Sequence, residues 1–300
     1  MGGINDGRVV IVTGGGRGLG RSHALLFARE GAKVVVNDLG GDVTGEGGSL
    51  SPAQEVVDEI RASGGEAVVN GEDVSSFEGA QRLVAQAVDE FGRLDVLVNN
   101  AGILRDRMLI NMTEGEWDAV IKVHLKGTFG PSHFAANHWR DRTKAGETND
   151  ARIINTSSAA GLYGNPGQTN YGAAKAGIAA FTVIASRELE RYGVTCNAIA
   201  PGARTRMTES LGFFEAPADA AAFDASAPEN ISPLVVWLGS PLSKAISGRV
   251  FNVAGGSISV AEGWHKGPEK DKGDRWEPAE LTDVVTDLVD RALPLADLFG

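Results

Sequence analysis

Tyr171 and Lys175, four residues apart in YGAAK, form a candidate proton-transfer pair. Residues at i and i+4 share one face of a helix. A phenol with an ordinary pKa of about 10 is a poor base at neutral pH. A nearby ammonium favours the phenolate and lowers that value. Such a pair can exchange a proton with a substrate hydroxyl or carbonyl while a hydride moves to or from a nicotinamide. Ser158, upstream at the end of an apolar run, carries a hydroxyl for the same oxygen. This Tyr–Lys spacing often arises by chance, so the reading needs partners elsewhere in the chain.

A second constellation suits a dinucleotide. TGGGRGLG, Thr13 to Gly20, follows a β-branched run and opens a helical stretch. Gly14, Gly18 and Gly20 permit a tight turn, a close backbone approach and close helix packing; Gly16, Arg17 and Leu19 complete the candidate cradle. The helix start offers free N–H groups and a positive dipole end to a pyrophosphate. Asp38 ends the next run about 20 residues on, where an acidic side chain hydrogen-bonds the adenosine ribose. A 2′-phosphate would face that carboxylate at a cost, so the expected cofactor is NAD rather than NADP. Arg17 pulls the other way. Leu39, Asp73 and Val74 are further cofactor candidates at strand ends, as are Asn99, Ala101 and Gly102 of NNAG. Ligands collect outside the carboxyl ends of parallel strands, so these motifs should converge on one crevice.

The elements that must position these residues alternate along the first 200 positions. Short β-branched runs at Val9–Val12, Lys33–Asn37, Ala67–Val69, Leu94–Val98, Ile153–Thr156 and Thr195–Ile199 predict strands. Helical spacing predicts helices over Gly18–Glu30, Pro52–Ser63, Phe77–Phe91, Glu114–Phe134 and Tyr171–Tyr192. Strands apolar on both faces and separated by helices imply a doubly wound α/β fold in three layers. Gly40 to Leu50 and Asp141 to Asp150 read as surface loops, and Leu234–Leu238 and Arg249–Val253 as a further helix and strand. The expected division is a catalytic domain over 1–264 and an extension over 265–300. The extension ends in a helix whose stripe from Leu281 to Ala292 should pack on the body or on a second subunit.

The chain has 300 residues, 39 acidic and 28 basic side chains and a net charge of −11, which opposes nucleic acid or an anionic membrane as partner. One cysteine, Cys196, allows no internal disulfide, so the cytoplasm is the expected compartment. Histidines, carboxylates and thiols show no metal-ligand pattern, so no metal is expected.

Together, TGGGRGLG, NNAG, Ser158 and YGAAK resemble the short-chain dehydrogenase/reductase family over residues 7 to 256. The resemblance implies a Rossmann-type sheet with cofactor and substrate in one domain. It implies Tyr171 as acid/base, Lys175 as ribose binder and pKa modulator, and Ser158 as donor to the substrate oxygen. The family often has an asparagine relay where this chain has His124. The family also places a threonine after a Pro-Gly pair, here Pro201 and Gly202, to hold the nicotinamide; the nearest candidate is Thr205, displaced by one residue. NDLGGD, NNAGILRDR, VHLKGTF and SSAAGLYGNPGQTNYGAAK are similar to the (3R)-hydroxyacyl-CoA dehydrogenase part of peroxisomal multifunctional β-oxidation enzymes.

The expected activity is NAD-dependent oxidation of a (3R)-hydroxyacyl-CoA by a homodimer or homotetramer. Alternatives are a 3-oxoacyl carrier-protein reductase, a hydroxysteroid dehydrogenase and a cofactor-sensing binding protein. Phe213, Phe214 and the neighbouring Met207 to Leu211 are expected to line an acyl or sterol groove.

Overall fold

Val9 and Ile11 of the first strand point to one side, Val10 and Val12 to the other, and all four are fully buried. Only a strand covered on both faces satisfies that pattern. The computed structural model describes residues 2–206, 217, 222–294 and 296. Its sheet has eight strands: β1 Val9–Thr13, β2 Lys33–Asn37, β3 Glu66–Asn70, β4 Val96–Asn99, β5 Ala151–Thr156, β6 Val194–Gly202, β7 Val250–Ala254 and β8 Ser257–Ala261. Their order is β3-β2-β1-β4-β5-β6-β7-β8. All pairs are parallel except the last, β7 with β8. This is the expected doubly wound, Rossmann-type sheet.

Two apolar clusters fill the layers. On one face, Val10, Val12, Val34 and Val36 pack with α1 (Gly18–Arg29), α2 (Ser51–Ala62) and α8 (Ser232–Gly239). On the other, Val9, Ile11 and Val35 pack with α3 (Phe77–Phe91), α5 (Gly127–Lys144) and α7 (Thr169–Leu189). Trp139 of α5 is fully buried there, and its indole N–H donates to the Leu94 carbonyl at 2.7 Å.

Three local expectations are corrected. The helix expected over Glu114–Phe134 is two helices, α4 (Glu114–Ile121) and α5, joined by a wide π-helical turn over Lys122–Lys126. The charged stretch from Asp141 begins as the last turn of α5 rather than as loop. The strand β8 had no counterpart in the periodicity; it returns antiparallel after Gly255, whose φ of 51° suits the turn. A short helix, α6 (Ala159–Tyr163), precedes α7.

The chain divides into two compact units, Met1–Ala261 and Glu262–Gly300. The second holds α9 (Leu281–Arg291), where Val285 and Val289 remain half or more exposed. Among the described residues, no helix is long and apolar enough to cross a membrane.

Candidate active site

The carboxyl ends of β1, β2, β3 and β4 meet at a cavity of about 320 Å³. Gly14, Arg17, Gly18, Leu19, Asp38, Leu39, Asp73, Val74, Ala101, Gly102 and Thr205 all line it. The convergence follows from topology. Winding reverses between β1 and β4, which opens a crevice there.

The glycine turn is shaped by close approach. Gly14 and Gly18 have φ of 61° and 51°, open to glycine at little cost. A Cβ on Gly20 would lie 2.0 Å from the Gly14 carbonyl oxygen, so α1 can meet the turn only with glycine there. No side chain caps the first turn of α1. Gly18 and Leu19 of that turn line the cavity, and an uncapped helix start fits a pyrophosphate. The Asp38 carboxylate accepts from the Gly16 N–H at 2.8 Å and the Gly40 N–H at 2.6 Å. It thus joins the end of β2 to the turn after β1. Arg17 donates to the Gly41 carbonyl at 3.3 Å.

Asn99 is buried, and its amide donates to Ser132 and Asn155 at 3.0 and 2.9 Å. Its neighbour Asn100 lines the cavity and donates to the Thr13 and Gly14 carbonyls at 3.0 and 3.1 Å. Gly16 and Gly20 shape the turn from behind, and Pro201 and Gly202 end β6 outside the cavity lining. Residues 40–50 form a loop, as expected, and Gly41, Asp42, Val43, Gly45 and Gly47 of it line the cavity. Phe213, Phe214 and Met207 to Leu211 lie outside the described residues.

Tyr171, Lys175 and Ser158 gather beside this crevice on α7 and the end of β5. Ser158 caps α6, accepting from the Ala160 N–H at 3.2 Å, and its hydroxyl favours the Tyr171 phenolate. Lys175 is 3% exposed. Its Nζ donates to the Thr156 carbonyl at 2.6 Å and sits 5.5 Å from the Tyr171 ring centroid. The start of α7 is fixed by Asn170, which the motifs did not single out. It is fully buried, donates to the Arg105 and Glu116 carbonyls at 3.0 and 3.2 Å and accepts from the Tyr171 N–H at 2.7 Å.

His124 links the two parts. Its ring meets Tyr171 edge-on, with centroids 5.2 Å apart, and its Nε2 lies 2.7 Å from the Ile103 carbonyl oxygen and 3.1 Å from the Ile103 nitrogen. Ile103 in turn lines the cavity. His124 is 1% exposed, and its Nδ1 has no hydrogen-bond partner in the structure. Burial, with the Lys175 charge adding to it, pushes the imidazole down to about 3, so it is neutral near pH 7.

The charge states run against one expectation. Burial pushes the Tyr171 phenol up to about 12; the Ser158 hydrogen bond lowers it and the Asp106 carboxylate raises it. Burial pushes the Lys175 ammonium down to about 7. Desolvation therefore dominates the phenol, and Tyr171 is protonated at neutral pH. Cys196 lies fully buried in β6, its thiol pushed up to about 12 by burial.

The family model for short chain dehydrogenase matches residues 8–215. Hydroxyacyl-CoA dehydrogenase ChsB1 of Mycobacterium tuberculosis is 46% identical over 290 residues, 94% of this chain and 88% of that protein. Peroxisomal multifunctional enzyme type 2 of Mus musculus is 46% identical over 253 residues, 84% of this chain. The chain spans 32% of that enzyme's length. The 3-oxoacyl-[acyl-carrier-protein] reductase of Synechocystis sp. is 40% identical over 253 residues, 84% of this chain and 97% of that protein. A crystal structure of a short chain dehydrogenase from Mycobacterium avium superposes with a TM-score of 0.89 at 56% identity, covering 98% of this chain and 99% of that one.

Proposed function

The chain belongs to the short-chain dehydrogenase family, and on that premise we propose that it oxidises a (3R)-hydroxyacyl-CoA to the 3-oxoacyl-CoA with NAD. It is an oxidoreductase acting on CH–OH groups of small molecules. The observation that carries the finer reading is the meeting of Ser158, Tyr171 and Lys175 beside a cavity that Asp38 lines. Ser158 donates to the substrate oxygen and holds it against the Tyr171 phenol. Tyr171 takes the hydroxyl proton as the carbinol C–H leaves as hydride. When bound, oxidised nicotinamide would supply the hydride acceptor. The Lys175 ammonium would offset part of the desolvation that keeps Tyr171 protonated. The Thr156 carbonyl fixes the ammonium, leaving its remaining protons for a ribose hydroxyl. Asp38 receives the adenosine ribose and disfavours a 2′-phosphate.

The protein works in the cytoplasm as a homodimer or homotetramer. The single buried thiol and the relatives' names support a reducing compartment and a thioester substrate. A second reading, reduction of a 3-oxoacyl thioester, draws on the similarity to a 3-oxoacyl-[acyl-carrier-protein] reductase, with the Tyr171 phenol as proton donor. Initial rates with NAD or NADP over a panel of 3-hydroxyacyl-CoAs, hydroxysteroids and the matching 3-oxo compounds separate the readings. The expected result is fastest turnover with NAD and a (3R)-hydroxyacyl-CoA. Turnover with NADP alone would reject the role given to Asp38.

A further inference from the structure

The loop after Asp38 reaches from the end of β2 toward the chain beyond β4. It leaves β2, and β1 stands between β2 and β4 in the sheet. Yet Val43 accepts the Leu104 N–H at 2.9 Å, beyond the end of β4. The span is two strand spacings, roughly 10 Å. The Arg105 side chain extends the attachment. Its Nε donates to the Thr44 carbonyl at 2.8 Å, and its Nη2 lies 3.2 Å from the Glu46 carboxylate. The tip is folded on itself: Asp42 accepts the Thr44 and Glu46 N–H groups at 2.8 and 3.0 Å. Gly45, with φ of 86°, presses on Ile103, and a Cβ there would lie 3.1 Å from the isoleucine. Gly14 and Gly18 line one part of the cavity, and Val43, Gly45 and Gly47 another.

We propose that Gly40–Leu50 is a strap over the dinucleotide and that Arg105 is the positioning residue that latches it. This rests on the dinucleotide reading of the cavity. A bound dinucleotide crosses the carboxyl end of β1, beneath the span from Val43 to Leu104. Release then requires the Val43–Leu104 and Arg105–Thr44 hydrogen bonds to break. The Arg105–Glu46 pair contributes little, because the Glu46 side chain is largely exposed. The latch is tied to the catalytic helix, since the Arg105 carbonyl accepts from Asn170, next to Tyr171. A closed strap and a correctly placed Tyr171 are therefore held by the same short segment.

The test is the release of NADH, followed by the loss of its fluorescence when excess NAD displaces it in a stopped-flow mixer. Arg105→Ala removes the latch. Gly45→Ala keeps the latch but strains the strap at Ile103, on an exposed loop where folding is safe. Arg105→Ala is expected to speed release about tenfold, as loss of one charge-assisted hydrogen bond allows, and Gly45→Ala to speed it by straining the closed strap, with Glu46→Gln within about twofold of wild type. Amide hydrogen exchange gives a second readout: NADH should protect residues 42–47 in the wild type and fail to do so in Arg105→Ala. Unchanged release and unchanged protection in both variants, with NADH still bound, would overturn the strap alone. A wild type that binds neither NADH nor NADPH would overturn the dinucleotide reading and the strap with it.

Discussion

Burial moves the Lys175 ammonium from 10.5 to about 7, so folding releases a proton between those values. The unfolded chain binds more protons in that window, and stability rises with pH across it. Below pH 7 the folded state bears the full cost of holding the charge. From pH 7 to 9.5 the wild type should gain about 3 kcal/mol relative to Lys175→Met, read from urea unfolding at the two pH values. Equal gains in the two proteins would show that the lysine is solvated. Asp38 makes a different prediction. Its carboxylate braces Gly16 and Gly40, and in the proposed NAD reading it opposes a 2′-phosphate. Asp38→Ser should shift the kcat/KM preference toward NADP by about 10- to 100-fold, or roughly 1.4–2.7 kcal/mol. An unchanged preference would place the discrimination elsewhere.

At the scale of elements, Gly102 controls how closely the chain after β4 meets the π-helical turn. A Cβ on Gly102 would lie 2.3 Å from His124 Cε1, and the ring cannot retreat because Nε2 is held at Ile103. Gly102→Ala should cost about 1–3 kcal/mol and lower the melting temperature. No shift in melting would mean that His124 has room to move. The strands and most helices were legible because burial on both faces demands unbroken β-branched runs, and the glycine turn has few alternative uses. Which asparagine of the pair 99–100 faces the crevice was not legible. Neighbours on a strand point to opposite faces, and the register that decides between them comes from β1 and β5. The π-helical turn was hidden because the pieces on either side keep helical spacing. Asn170 gave no motif signal; its importance lies in two carbonyls distant in sequence. The strap read as surface loop because glycine-rich composition says nothing about what a loop covers.

For the whole molecule, acid stability sets opposing terms against each other. The chain carries a net charge of −11 at pH 7, and acidification toward its pI near 5.0 relieves self-repulsion. Two buried histidines work the other way. His23, against Ser232, and His124 are both pushed down to about 3 by burial, from 6.5. Their contribution is complete above pH 6.5 and is lost as pH falls toward 3, because the unfolded chain takes up protons the folded one refuses. From pH 7 to 5 each should remove about 2 kcal/mol. Comparing His124→Asn with wild type cancels the shared charge term and should show a loss smaller by that amount. Identical losses would mean that His124 is not held neutral by the fold.

In the proposed reaction the Tyr171 oxygen moves the substrate proton. That role is tested most directly by Tyr171→Phe, with turnover and NADH affinity measured on the same preparation. Turnover with NAD and a (3R)-hydroxyacyl-CoA should fall by about 10³-fold or more, the scale of a lost acid/base, while NADH binding stays within about threefold. A variant that binds NADH and turns over at the wild-type rate would contradict it.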